Sequence, residues 1–198
     1  TENERENRRK HYFIVGGLNL MATKTFSRDL GTTSFKQFDS KWASKTTSCG
    51  GTMRSEGCYI TSIAMIFNSF GDNVDPGTLL DNLKNTGKDC PIDWNAAASR
   101  YSHTYHGKMS GTFDKLKADI FDLIVNERIP VMIHVPNHLV AAKGFKGTLS
   151  VDVDGSPYYS QITPEMILVN DPGSSSNQTL QDVINQRGAV DYYTYYTD

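Results

Sequence analysis

The thiols of Cys49, Cys58 and Cys90 are the candidate nucleophiles of this sequence. A thiol attacks as its thiolate, a form favoured by the unpaired amides and dipole of a helix N-terminus. Cys58 alone stands at such an entrance. Ser55-Glu56-Gly57 reads as a loop, and Ile60, Ile63, Ala64 and Phe67 follow at helical spacing. The competing reading of Cys58 is a small buried residue with no chemistry. Cys49 lies in Ser48-Cys49-Gly50-Gly51 with no helix behind it, and Cys90 precedes Pro91 in a loop. These two read either as free thiols or as a disulfide tying the Gly-rich loop to the helical half in an oxidising compartment. With no C-x-x-C pair, a structural zinc site is not expected.

A nucleophilic thiol needs a base, and His138 has the most informative context of the five histidines. It follows a β-branched run and a Pro136-Asn137 turn and opens a second run, His138 to Phe145, so a rigid frame would aim it. His134 lies mid-strand and reads as packed or solvent-facing. His11, His103 and His106 read as surface residues. The base in turn needs a group that orients its ring. Asn170 and Asp171 end the run Ile167-Leu168-Val169, and Asp171 is preferred over Asn170. Turn chemistry alone also accounts for Asn170-Asp171-Pro172-Gly173.

These residues need helices before a sheet. Helices are expected from about Tyr59 to Phe70, from Asp75-Pro76 to near Gly87, after Asp93, from Phe113 to about Asn126, and from Leu180 to Gln186. After Pro130 short β-branched runs take over: Val131–Val135, Leu139–Phe145, Leu149–Val153, a turn at Asp154-Gly155 into Tyr158-Tyr159, and Met166–Val169. A Tyr-rich strand closes the chain. Helices first and antiparallel strands second describe an α+β domain.

With 20 basic and 22 acidic residues among 198, net charge −2, the chain offers no single-sign field for nucleic acid or an anionic membrane surface. Its apolar runs fall short of the roughly 20 residues a membrane span needs. Residues 1–10 are polar and charged and read as a solvated lead-in. Tyr12–Val15 suggest a short strand before an irregular arm, so residues 1–36 are set apart from a domain at 37–198. The N-terminus has no apolar signal-peptide core. The chain therefore reads as cytoplasmic or as a mature piece of a longer exported protein, the Ser, Thr, Asn, Gly and Tyr content favouring the extracellular or cell-envelope side.

The pieces in order also resemble a known family. Gln37-Phe38-Asp39-Ser40-Lys41-Trp42 resembles the Q-x-D-x-x-W opening of the papain-like double-glycine leader peptidases and their free-standing relatives, cysteine-peptidase family thirty-nine. Gly57 to Phe67 is similar to that family's G-C-x-x-T-S-x-A-M helix, Asn137 to Phe145 to its histidine strand, and Ile167 to Gly173 to its I-x-x-x-D-P strand end. Asn137 stands where the family usually has Gly, Lys143 enters a normally apolar strand, and a hairpin from Thr148 to Gln161 lengthens the link to Asp171. The resemblance implies a papain-like fold with Cys58 as nucleophile, His138 as base, Asp171 as orienter and Gln37 in the oxyanion hole. It implies no metal or organic cofactor. The implied substrate is a peptide, a protein or a peptidoglycan peptide. An inert binding module on the same fold and an acyltransferase or amidase with the same triad are the rival functions. The early arm would then be a remnant of a pro-segment.

Overall fold

The structure is a computed structural model that describes residues 22–198. The polar lead-in, His11 and the strand expected at Tyr12–Val15 lie outside the described residues. Strand β1 (Thr23–Asp29) comes first, followed by a short helix α1 (Met53–Glu56) and the central helix α2 (Cys58–Ser69). Helices α3 (Pro76–Lys84) and α4 (Trp94–Tyr101), strand β2 (Thr104–Ser110) and helix α5 (Phe113–Phe121) complete the first half. The second half holds β3 (Val131–Val135), β4 (His138–Ser150), β5 (Ile167–Asn170), α6 (Leu180–Arg187) and β6 (Tyr192–Thr197). The fold is α+β, as expected.

Local chemistry sets the helix starts. Asp75 accepts a hydrogen bond from the Thr78 amide with Pro76 in the first turn, and Asp93 accepts from the Ala96 amide. Thr179 and Asp182 form a reciprocal capping box for α6. The expected helix from Phe113 changes character at Asp122, where a π-helical turn runs to Glu127 before Arg128 takes a φ of 63°.

All six strands pair antiparallel, along the path β1-β4-β3-β6-β2, with β5 also on β4. Ala141 and Ala142 pair with both β3 and β5, which therefore lie on opposite edges of β4. The period of two divides the core. Val131, Ile133, Val135, Val140 and Ala142 join one apolar cluster with α5 and α6, whereas Met132, Leu139 and Ala141 join the cluster around α2. One bond fixes α2 against the sheet: Ser62 Oγ, one turn below Cys58, donates to the Leu139 carbonyl at 3.1 Å.

Two expectations about strands change. The run 139–145 and the start of the run 149–153 fall in one 13-residue strand, β4, which ends at Ser150. Its outer half is continuous because residues 144–150 pair with β1, which occupies part of the arm read as irregular. Phe26 anchors β1 by packing edge-on to Phe121 at 5.2 Å, and the pairing admits only glycine at 144, where a Cβ would fall 2.4 Å from the Arg28 carbonyl oxygen. The polar segment 104–110, where no strand was expected, is strand β2 on the sheet edge beside β6.

Cys49 and Cys90 form a disulfide, so the second of the two sequence readings applies. Closing a loop of this length contributes about 4 kcal/mol in the chain-entropy account. Cys58 is the free thiol.

Candidate active site

Cys58 is the first residue of α2, 6 % exposed, with the helix's unpaired amides around its own N–H. Gly57 is required there for space. A Cβ at that position would sit 2.4 Å from the Met53 carbonyl oxygen, because α1 turns directly into α2. Cys58, Gln37, Tyr59, His134, Asn137 and His138 line one cleft of about 410 Å³.

His138 is aimed by a two-residue turn. Proline fixes φ at 136 and Asn137 takes a φ of 58°, the dihedral signature of a type II turn, in which Asn substitutes for Gly. Nε2 of His138 donates to Asp171 Oδ1 at 2.7 Å, both side chains being almost fully buried. Burial opposes charge on the ring. The hydrogen bond to Asp171, the negative charge of that carboxylate and the neighbouring Cys58 outweigh it and raise the His138 pKa from 6.5 to about 9.

Asp171 is held by more than the histidine. Its Oδ1 also accepts from the Gly173 amide at 2.7 Å, and Oδ2 accepts from Asn177 Nδ2 at 2.8 Å. Burial would raise its pKa, but the bonds from His138, Asn177 and Gly173 hold it below the ordinary carboxylate value. Asn170, the sequence rival, turns elsewhere and donates to the Thr32 carbonyl at 2.9 Å. Gly173 is also a close approach, since a Cβ there would be 3.0 Å from His138 Cε1.

The Q-x-D-x-x-W segment has a physical explanation. Trp42 is buried, donates its indole N–H to the Lys36 carbonyl at 2.7 Å and packs edge-on against Phe35, pinning the turn that carries Gln37. The Gln37 backbone N–H donates to the Pro172 carbonyl at 2.9 Å, and Lys36 Nζ donates to the Asp171 and Ser174 carbonyls at 2.7 Å each. The segment thus clasps the turn that holds Asp171. Gln37 Nε2 donates one hydrogen to the Arg54 carbonyl at 2.7 Å and retains a second, while its Oε1 is buried without a partner among the described residues.

The structure therefore brings Cys58, His138 and Gln37 to one cleft, with Asp171 directly behind His138. Among the other histidines, His103 is corrected. Its side chain is buried against Phe67 and Phe70 and bonds Asp72 at 2.5 Å, because it closes α4 over the α2 cluster and does not lie on the surface. His106 is exposed and stacks on Tyr195. His134 lies on the cleft wall, stacked on Tyr192, with Nδ1 bonded to Asp191 Oδ1 at 2.6 Å. Lys36 and Asn177 were not legible as site residues. One is a lysine beside a motif and the other an asparagine in a Ser-rich turn, and their roles exist only through contacts made by folding.

The model of the Peptidase_C39 like family matches residues 32–198. No curated protein and no solved structure matches the chain.

Proposed function

The chain belongs to the Peptidase_C39-like family, and from that premise we propose that it is a cysteine peptidase that cleaves amide bonds through a thioester on Cys58. The observation that carries the reading is the buried His138–Asp171 pair beside a thiol at the head of α2. His138 takes the thiol proton, and the resulting imidazolium is stabilised by Asp171. The thiolate adds to a peptide carbonyl. The oxyanion accepts hydrogen bonds from the second Gln37 Nε2–H and the Cys58 backbone amide, and donors held by the fold before charge develops lower the barrier of such a step. His138 then gives its proton to the departing amine, leaving an acyl-thioester. Water, deprotonated by His138, attacks that thioester and releases the acid.

The substrate class is a peptide, a protein or the peptide of a cell wall. The Cys49–Cys90 disulfide supports a site of action outside the cell or in its envelope, where such bonds persist. No helix of the described residues is long and apolar enough to cross a membrane. The test is mass spectrometry of peptide mixtures and peptidoglycan after incubation with the protein and with Cys58→Ala. New amine and acid termini produced only by the wild type are expected. Identical product patterns from both proteins, with Cys58 no more reactive to iodoacetamide at pH 6 than an exposed model thiol, refute the peptidase reading in favour of an inert module.

A further inference from the structure

A second cavity, of about 370 Å³, adjoins the cleft and shares Glu56 and Tyr59 with it. Its walls are Tyr59, Ile60, Ile92, Trp94, Pro91 and the Cys49–Cys90 disulfide. The polar groups that border it are largely committed elsewhere. Glu56 accepts from the Thr47 hydroxyl and from the Gly51 amide at 3.0 Å, and Asp89 accepts from the Ser48 amide and hydroxyl at 2.8 and 2.6 Å. Lys108 Nζ rests over the Tyr192 ring at 4.7 Å and the Trp94 ring at 5.9 Å. What remains to meet a guest is an apolar and aromatic lining on a rigid frame. Trp94 stacks on Tyr105 at 5.4 Å and meets the edge of Tyr59 at 5.7 Å, while the disulfide holds the loop carrying Pro91 and Ile92 against the segment before α1.

We propose that this cavity is the specificity pocket of the enzyme and takes one aromatic side chain of the substrate, close in sequence to the bond presented to Cys58. The inference rests on the peptidase reading for the direction of the substrate into the cleft. Three observations favour this occupant. The volume of about 370 Å³ exceeds the roughly 150 Å³ that encloses a benzene ring, so one aromatic side chain fits together with its adjoining backbone. Tyr59, the residue after Cys58, lines both the cleft and the cavity, so the two spaces share a wall one residue from the nucleophile. Trp94, held in place by its stack on Tyr105, lines the cavity with Tyr59 as a preformed aromatic wall, and aromatic pairs gain beyond their buried area.

The experiment uses binding, so that it does not depend on turnover. Acetylated and amidated alanine hexapeptides, with one phenylalanine moved through each position in turn, are titrated into Cys58→Ala protein by calorimetry. One position is expected to tighten binding at least about tenfold over the all-alanine peptide, since even a single methylene in an apolar pocket discriminates by about that factor. Ile92→Trp, which adds bulk from a half-exposed position, and Trp94→Ala, which removes the stacked wall, should each reduce that preference below about threefold. Equal binding at every position overturns the proposal, as does a phenylalanine preference that neither variant diminishes. Alkylation of Cys58 by iodoacetamide in the otherwise wild-type protein separates the two readings. Its failure removes the peptidase chemistry without altering the binding result, and normal alkylation with no phenylalanine preference removes the pocket alone.

Discussion

Two histidines on neighbouring strands each bond a carboxylate at nearly the same length, His138 to Asp171 at 2.7 Å and His134 to Asp191 at 2.6 Å. Their surroundings are unlike. The His138 and Asp171 side chains are 3 % and 2 % exposed, and both Asp171 oxygens are filled by protein donors. Asp191 is 57 % exposed, so solvent screens that pair. His138 of the first pair shares its cleft with Cys58, whereas His134 of the second stacks on Tyr192. A histidine–carboxylate bond is thus common chemistry. What separates a candidate base from a wall residue is burial, a fully bonded carboxylate and a thiol within reach.

The largest expected effect tests that separation directly. His138→Ala and Cys58→Ala should each lower kcat/KM by several orders of magnitude, on the order of 10⁶ in kcat by analogy with nucleophile–base units elsewhere. His134→Ala should stay within about tenfold of wild type. Comparable losses at His134 and His138, measured by peptide turnover, would exchange or merge their roles.

The carboxylates come next. Asp171→Asn keeps the shape but replaces the charge and one of the two acceptor oxygens with a neutral donor, and should cost up to about 10⁴ in kcat. Asp191→Asn should change turnover less than threefold. A silent Asp171→Asn would place the orienting role elsewhere. A smaller loss belongs to the donor that faces the first pair: Gln37→Ala should cost about 10²–10³ in kcat with little change in iodoacetamide labelling of Cys58. If labelling falls together with turnover, Gln37 positions the thiol and does not serve the oxyanion.

The least effect is on stability and follows from the raised His138 pKa. The folded state holds this proton more tightly than the unfolded chain, whose histidine titrates near 6.5. The stabilisation is therefore complete below about pH 6.5 and is lost as pH rises through about 9. Asp171, held low, acts in the opposite sense, contributing above its unfolded pKa of about 3.9 and failing as pH drops below it. Denaturant unfolding between pH 6.5 and 9.5 should lose up to about 3 kcal/mol in wild type, at 1.36 kcal/mol per pH unit, and clearly less in His138→Ala. Equal losses in the two proteins would show that the proton on His138 is not held by folding.

Much of the site was legible because its signals are local. Helical period after Gly57-Cys58, a Pro-Asn turn before His138 and a polar pair ending Ile167-Leu168-Val169 each sit within a few residues, and the elements lie close to where that spacing puts them. The failures were of a different kind. β1 and β2 are polar edge strands whose stability comes from partners far along the chain, and His103 is buried only because α4 closes over Phe67.

Local residue patterns established which groups were available and in what order: a thiol at a helix entrance, a histidine opening a strand, an acid at a strand end and a glutamine five residues before a tryptophan. Long-range packing selected which of them meet. Choosing Asp171 over Asn170 required two segments 33 residues apart to pack at one distance, and the Lys36 clasp on the Asp171 turn spans 135 residues. The disulfide across 41 residues and the pocket it walls belong to the same class. Periodicity and capping are settled by neighbours in the chain, whereas contacts at such separations depend on how two faces of one sheet fill with side chains, a property no short stretch of residues contains.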